Sequence, residues 1–167
     1  QSEIDYLKNR QNRPKELADI IPWVERSFPD ALFLHARAKA ELAAVKPDEV
    51  NLSLLCDALE YLATEYRDEL LGYISHDECL NRCNKKYNRG FEVTPLSGTS
   101  VEMYPTEYRI KFYPSPKGKP VESLLNLHLK VGVDPRTLIR IYFLYDKEKQ
   151  LIVVGSLPKH LKTVGYE

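Results

Sequence analysis

The chemistry-bearing residues gather in the last forty positions. Leu124 to Gly132 alternates as a strand does, placing Leu125, Leu127, Leu129 and Val131 on one face and His128 with Lys130 on the other. In the next run, Leu138 to Asp146, the same alternation puts Arg140 and Tyr142 together, against Ile141, Phe143 and Tyr145. Leu151 to Gly155 returns as a further strand and ends in a basic corner holding Lys159, His160 and Lys162. Arginine and lysine can hold a phosphate, and a neutral imidazole beside it can move a proton. Attack of a ribose 2′-hydroxyl on its own 3′-phosphate needs those parts: a base, an acid and cations on the pentavalent oxygens. The same side chains also suit the ordinary solvent face of a sheet.

Helices come first in the elements that must carry these residues. Pro14 suits a first helical turn, and Leu17, Ile20, Ile21 and Val24 follow at helical spacing, with Pro22 expected to kink or break the helix near Ile21. Pro29-Asp30 is read as the start of a helix running through the alanine stripe to Val45. From a cap at Asn51 or Ser53, the stripe Leu54, Leu55, Ala58, Leu59, Leu62, Tyr66, Leu70 and Leu71 predicts a long helix stopped by Gly72. Ser75, with Glu78 three residues on, predicts another, to about Lys86, closed by Asn88-Arg89-Gly90. After Gly90 the pattern turns to strands: Phe91–Thr94, a loop, Val101–Tyr104, Tyr108–Tyr113, then the C-terminal three. The expected fold is α+β, with a helical region over residues 1–88 packed on a mostly antiparallel curved sheet over residues 89–167, sharing one core.

A resemblance rests on the sheet residues. The order His128-x-Lys130-x-Gly132, then Arg140-Ile141-Tyr142-Phe143-x-Tyr145-Asp146, then Val153-Val154-Gly155 ending in Lys159-His160 and Thr163 resembles the prokaryotic RelE/HigB-type toxin superfamily over residues 108–163. That resemblance implies a small cytoplasmic endoribonuclease that cuts messenger RNA without a metal, and an antitoxin-like protein as partner. On it, Arg140 stands for the strand arginine, and Lys159 with His160 for the basic pair after the last strand. The roles expected are His160 or His128 for proton transfer; Arg140, Lys130, Lys159 and Lys162 for the phosphate; and Tyr142 for stacking on a base or orienting the nucleophile. The competing expectation is a non-catalytic module whose acidic helices bind a protein partner.

Composition supports both. Hydrophobic residues make up 43% and charged ones 29%, enough for a sizeable core. Net charge is zero, but residues 1–75 hold 9 basic and 14 acidic side chains and residues 76–167 hold 15 and 10. The basic back half could face a polyanion. Three cysteines without repeated spacing argue against a disulfide framework and for a reducing, cytoplasmic setting, and no apolar run reaches membrane-spanning length. The opening Gln1 fits a trimmed chain or a piece of a longer one. His76, Cys79 and Cys83 share a helical face and could converge on zinc, yet only Cys56 offers a fourth soft donor, so cysteines packed against the preceding helix are expected, with no metal and no cofactor. Asp57 with Glu60, and Glu65 with Asp68, lie opposite the leucine stripe and are expected on a solvated face. His35 is expected in the core or at its boundary. No phosphate-cradling loop, Gly-x-Ser-x-Gly elbow or His-Glu-x-x-His motif occurs.

Overall fold

Asn51 starts the central helix as predicted: its side chain accepts the Leu54 N–H at 3.0 Å. In the computed structural model, which describes residues 12–112 and 118–161, this helix (α3, Leu52–Tyr61) buries Leu55, Cys56, Ala58 and Leu59. It continues through one π-helical stretch, Leu62–Tyr66, into a last turn, Arg67–Leu70. Gly72, at φ +77°, ends it in a left-handed cap: Tyr73 N–H reaches Asp68 O and Gly72 N–H reaches Glu69 O. Helix α4 (His76–Tyr87) is likewise capped by Ser75, whose hydroxyl accepts the Glu78 N–H, and closes on Asn88 at φ 57°. Two short helices precede them, α1 (Ile20–Ser27) and α2 (Ala36–Ala44). Pro22 does not break α1. The helix begins at Ile20, so the proline falls in the first turn, where its missing N–H has no intrahelical partner to lose.

The stretch read as one helix from Pro29 to Val45 is divided. Leu32–Leu34 is a strand (β1) that pairs in parallel with β7 (Leu151–Ser156), and only Ala36–Ala44 is helical. The leucines at 32 and 34 are 2% exposed in the main core, so tertiary pairing overrides the helical spacing. The other strands are β2 (Val93–Pro95), β3 (Arg109–Phe112), β4 (Val121–Leu124), β5 (Leu127–Val131) and β6 (Ile139–Asp146). A five-stranded sheet runs in the order β1-β7-β6-β5-β2, antiparallel except at β1, and β3 with β4 form a separate two-stranded ribbon. Val101–Tyr104 is not a strand: residues Gly98–Met103 form a short helix, α5.

Both faces of the sheet are covered. Leu129, Val131, Ile139, Ile141, Phe143, Ile152 and Val154 meet the helices in the larger apolar cluster. On the opposite face Tyr142 and Val153 pack under Tyr108, Ile110, Phe112 and Leu125 of the ribbon. Leu125 thus leaves the face it was expected to share with Leu127 and Leu129, because the chain turns between β4 and β5 at that point. Gly155 makes this approach possible: a Cβ there would stand 2.5 Å from Leu125 Cδ2. The glycine sits where the β6–β7 register slips, Tyr142 opposing Ser156 and Phe143 opposing Val154. No helix among the described residues is long and apolar enough to cross a membrane.

Candidate functional site

Strand register places the sheet residues of the expected site side by side. His128 lies directly opposite Tyr142, and Lys130 directly opposite Arg140, in the β5–β6 ladder. Directly opposed residues point to one face, so these four share the face away from the helices. The His128 ring is stacked on Tyr142, 5.7 Å between centroids at 13°. The segment after β7 folds back along β6: Pro158 O accepts the Arg140 N–H at 2.8 Å and the Tyr142 hydroxyl accepts the Leu161 N–H at 3.3 Å. This brings His160 edge-on to the same tyrosine, 6.2 Å away at 86°. Two imidazoles therefore flank one phenol.

Hydrogen bonding sets the tautomer of each ring. A carbonyl can only accept, so His128 Nδ1 donates to Thr94 O at 3.1 Å, and His160 Nδ1 donates to Leu161 O. In the neutral state each then carries its lone pair on Nε2. Arg140 is 4% exposed, and its Nη1 is buried with no hydrogen-bond partner. No carboxylate pairs with it among the described residues. A buried guanidinium without a counter-charge is costly unless something anionic arrives.

The remaining basic residues separate. Lys130 is exposed on the same face as Arg140. Lys159 forms an ion pair with Glu49 at 2.7 Å instead of joining the imidazoles, and the ammonium pulls the Glu49 carboxyl below its usual range. Lys162 lies outside the described residues. A residue not anticipated is Glu41 of α2, which accepts from Ser156 Oγ at 3.0 Å, Ser156 being the cross-strand neighbour of Tyr142. Burial raises the Glu41 carboxyl above its ordinary value, against the pull of Ser156 and Arg37.

The acidic face expected on α3 is not solvated. Asp57, Glu60 and Glu65 are 8%, 2% and 6% exposed. Arg13 reaches Asp57 at 2.5 Å and Glu60 at 3.2 Å, and Lys86 of α4 reaches Glu60 at 2.7 Å and Glu65 at 3.0 Å. Burial and the adjacent Glu65 keep Tyr87 protonated, so its hydroxyl donates to Glu65 at 2.5 Å. The π-helical stretch lies within this network, with Thr64 donating to Glu60 O and Glu65 Oε1. Buried charges persist only when paired, and here each has a partner. Helical spacing carried no sign of this, because the basic partners sit about thirty residues to either side.

Cys79 and Cys83 are buried as expected, and desolvation pushes the Cys83 thiol up to about 11 and that of Cys79 higher still. Such thiols are poor nucleophiles at neutral pH. His76 turns outward to Glu69 at 3.1 Å, with its side chain 70% exposed, so the three do not converge. Among the described residues no group of His, Cys, Asp and Glu is arranged to hold a metal ion. His35 caps α2: its Nδ1 accepts the Arg37 N–H at 3.1 Å, and its Nε2 donates to Lys111 O at 2.8 Å. Comparison of the chain with protein-family models, curated proteins and solved structures returned no match.

Proposed function

We propose that this chain engages single-stranded RNA on the Arg140–Tyr142 face and cleaves it by transfer to the neighbouring 2′-hydroxyl. One observation carries the reading: the buried, unpartnered Nη1 of Arg140 lies on the face where two imidazoles flank Tyr142. A phosphodiester would supply the missing counter-charge, and Lys130 would hold a second oxygen. One imidazole takes the 2′-hydroxyl proton through Nε2 as the oxygen attacks phosphorus. The P–O5′ bond breaks, and the other imidazole, protonated, gives its proton to the departing 5′-oxygen. The products are a 2′,3′-cyclic phosphate and a 5′-hydroxyl. The side chains supply the acid, the base and the cation, so the scheme calls on no metal.

The alternative of an acidic docking face loses its main support, since Asp57, Glu60 and Glu65 are already paired inside the protein. The test is cleavage of a short single-stranded RNA in the presence of a chelator. His128→Ala and His160→Ala should each lower the rate by about 10²–10⁴-fold, the usual worth of a positioned acid or base. A 2′-deoxy substitution at the scissile position should abolish cleavage. Unchanged rates in both variants would refute the scheme.

A further inference from the structure

A second surface on the same face of the sheet is unused by this chemistry. At the far end of β6 and β7, an open groove of about 390 Å³ runs between β1, the start of α2, the end of β3 and the β6–β7 turn. Its floor is apolar: Phe33, Phe112, Ala36 and Leu151. Phe33 is 42% exposed, a large ring facing solvent on an edge strand. The two phenyl rings lie 6.1 Å apart, inclined at 54°. The rim carries Lys111 and Lys149, the latter with its ammonium 5.2 Å from the centre of the Phe112 ring, and no acidic side chain lines the groove. His35 holds the wall together, tying the start of α2 to the Lys111 carbonyl.

We propose that this groove receives an unpaired nucleobase of the RNA, stacked on Phe33, with its flanking phosphate against Lys111 and Lys149. The inference rests on the proposed function and names a second contact for the same substrate. Charge complementarity selects the occupant. A purely apolar peptide would cover the rings but bring no anion to a rim that holds two lysines and no acid. A nucleotide brings both a π-face and a charge, the combination that aromatic, basic single-strand sites use. The volume also falls in the range of small-ligand sites and is too small for a helix. The β6 strand links the two places: Tyr142 and Asp146 are four residues apart, roughly 13 Å along a strand. A short extended oligonucleotide can therefore touch both.

The test uses a fluorescein-labelled, 2′-O-methylated single strand, which cannot be cleaved, so binding is read by anisotropy apart from catalysis. Phe33→Leu keeps an apolar side chain but removes the ring, and should weaken binding about tenfold or more, as loss of one stacked base does. Lys149→Gln, on the exposed turn, should lower the slope of log affinity against log salt by about 0.7. The same sequence as a duplex should bind equally to wild type and Phe33→Leu. Unchanged single-strand affinity in both variants, with binding lost in Arg140→Met, overturns the groove and leaves the proposed function standing. Weakening by Phe33→Leu with no effect of Arg140→Met leaves the groove and refutes the catalytic face. A wild-type protein that binds no single strand refutes both.

Discussion

Replacing Arg140 by methionine separates a side chain kept for folding from one kept for a ligand. The guanidinium is 4% exposed, and its Nη1 has no partner. A buried donor left unsatisfied costs about 1–3 kcal/mol. Methionine is of similar length, fills the space without a polar atom and removes that cost. The variant should therefore be more stable than the parent by about 1–3 kcal/mol. In a chain of this length about 1 kcal/mol moves the midpoint by roughly 2–4 °C, so melting should rise by about 2–10 °C. Inorganic phosphate gives the second arm. An anion that binds only the folded parent stabilises it by RT ln(1 + [L]/Kd), about 1.4 kcal/mol at tenfold Kd, and should leave the methionine variant unmoved. Calorimetry of both proteins across a phosphate series measures each quantity. A variant that melts lower than the parent, together with a parent that ignores phosphate, would show that Arg140 is satisfied within the fold, and the anion argument would fall.

Three further outcomes follow from the packing. Lys86→Met strips the cation from Glu60 and Glu65 at 2.7 and 3.0 Å, and should cost about 3–5 kcal/mol in urea unfolding; a loss below about 1 kcal/mol would mean the carboxylates are satisfied without it. Gly155→Ala forces a methyl group to within 2.5 Å of the buried Leu125 side chain and should cost about 1–3 kcal/mol, part of it recovered when Leu125→Ala is added; additive losses would contradict the clash. Burial raises the Glu41 carboxyl above 4.5, with Glu107 acting in the same direction, so its contribution to stability is full below the unfolded value and is lost as pH rises through the folded one. Glu41→Gln should remove that decline, and the gap in urea midpoint between variant and parent should widen from acid pH to neutrality; a constant gap would rule the argument out.

Much of the framework is legible locally. The caps at Asn51 and Ser75, the stop at Gly72 and the alternation of β5 to β7 are set by neighbours a few residues away, through hydrogen bonds and a period that any window of sequence displays. The same alternation put His128, Lys130, Arg140 and Tyr142 on one face, because strand period and antiparallel pairing leave a single parity. Partnership across long separations was not legible. Whether Leu32–Leu34 joins a helix or a sheet edge depends on β7, over a hundred residues later. Whether Asp57 and Glu60 meet water depends on Arg13 and Lys86, and where Lys159 points depends on Glu49. The sequence by itself determined which residues could share a face. Only the tertiary structure decided which charges are neutralised there and which, like Arg140, are left waiting, because pairing in space follows contacts that no local period encodes.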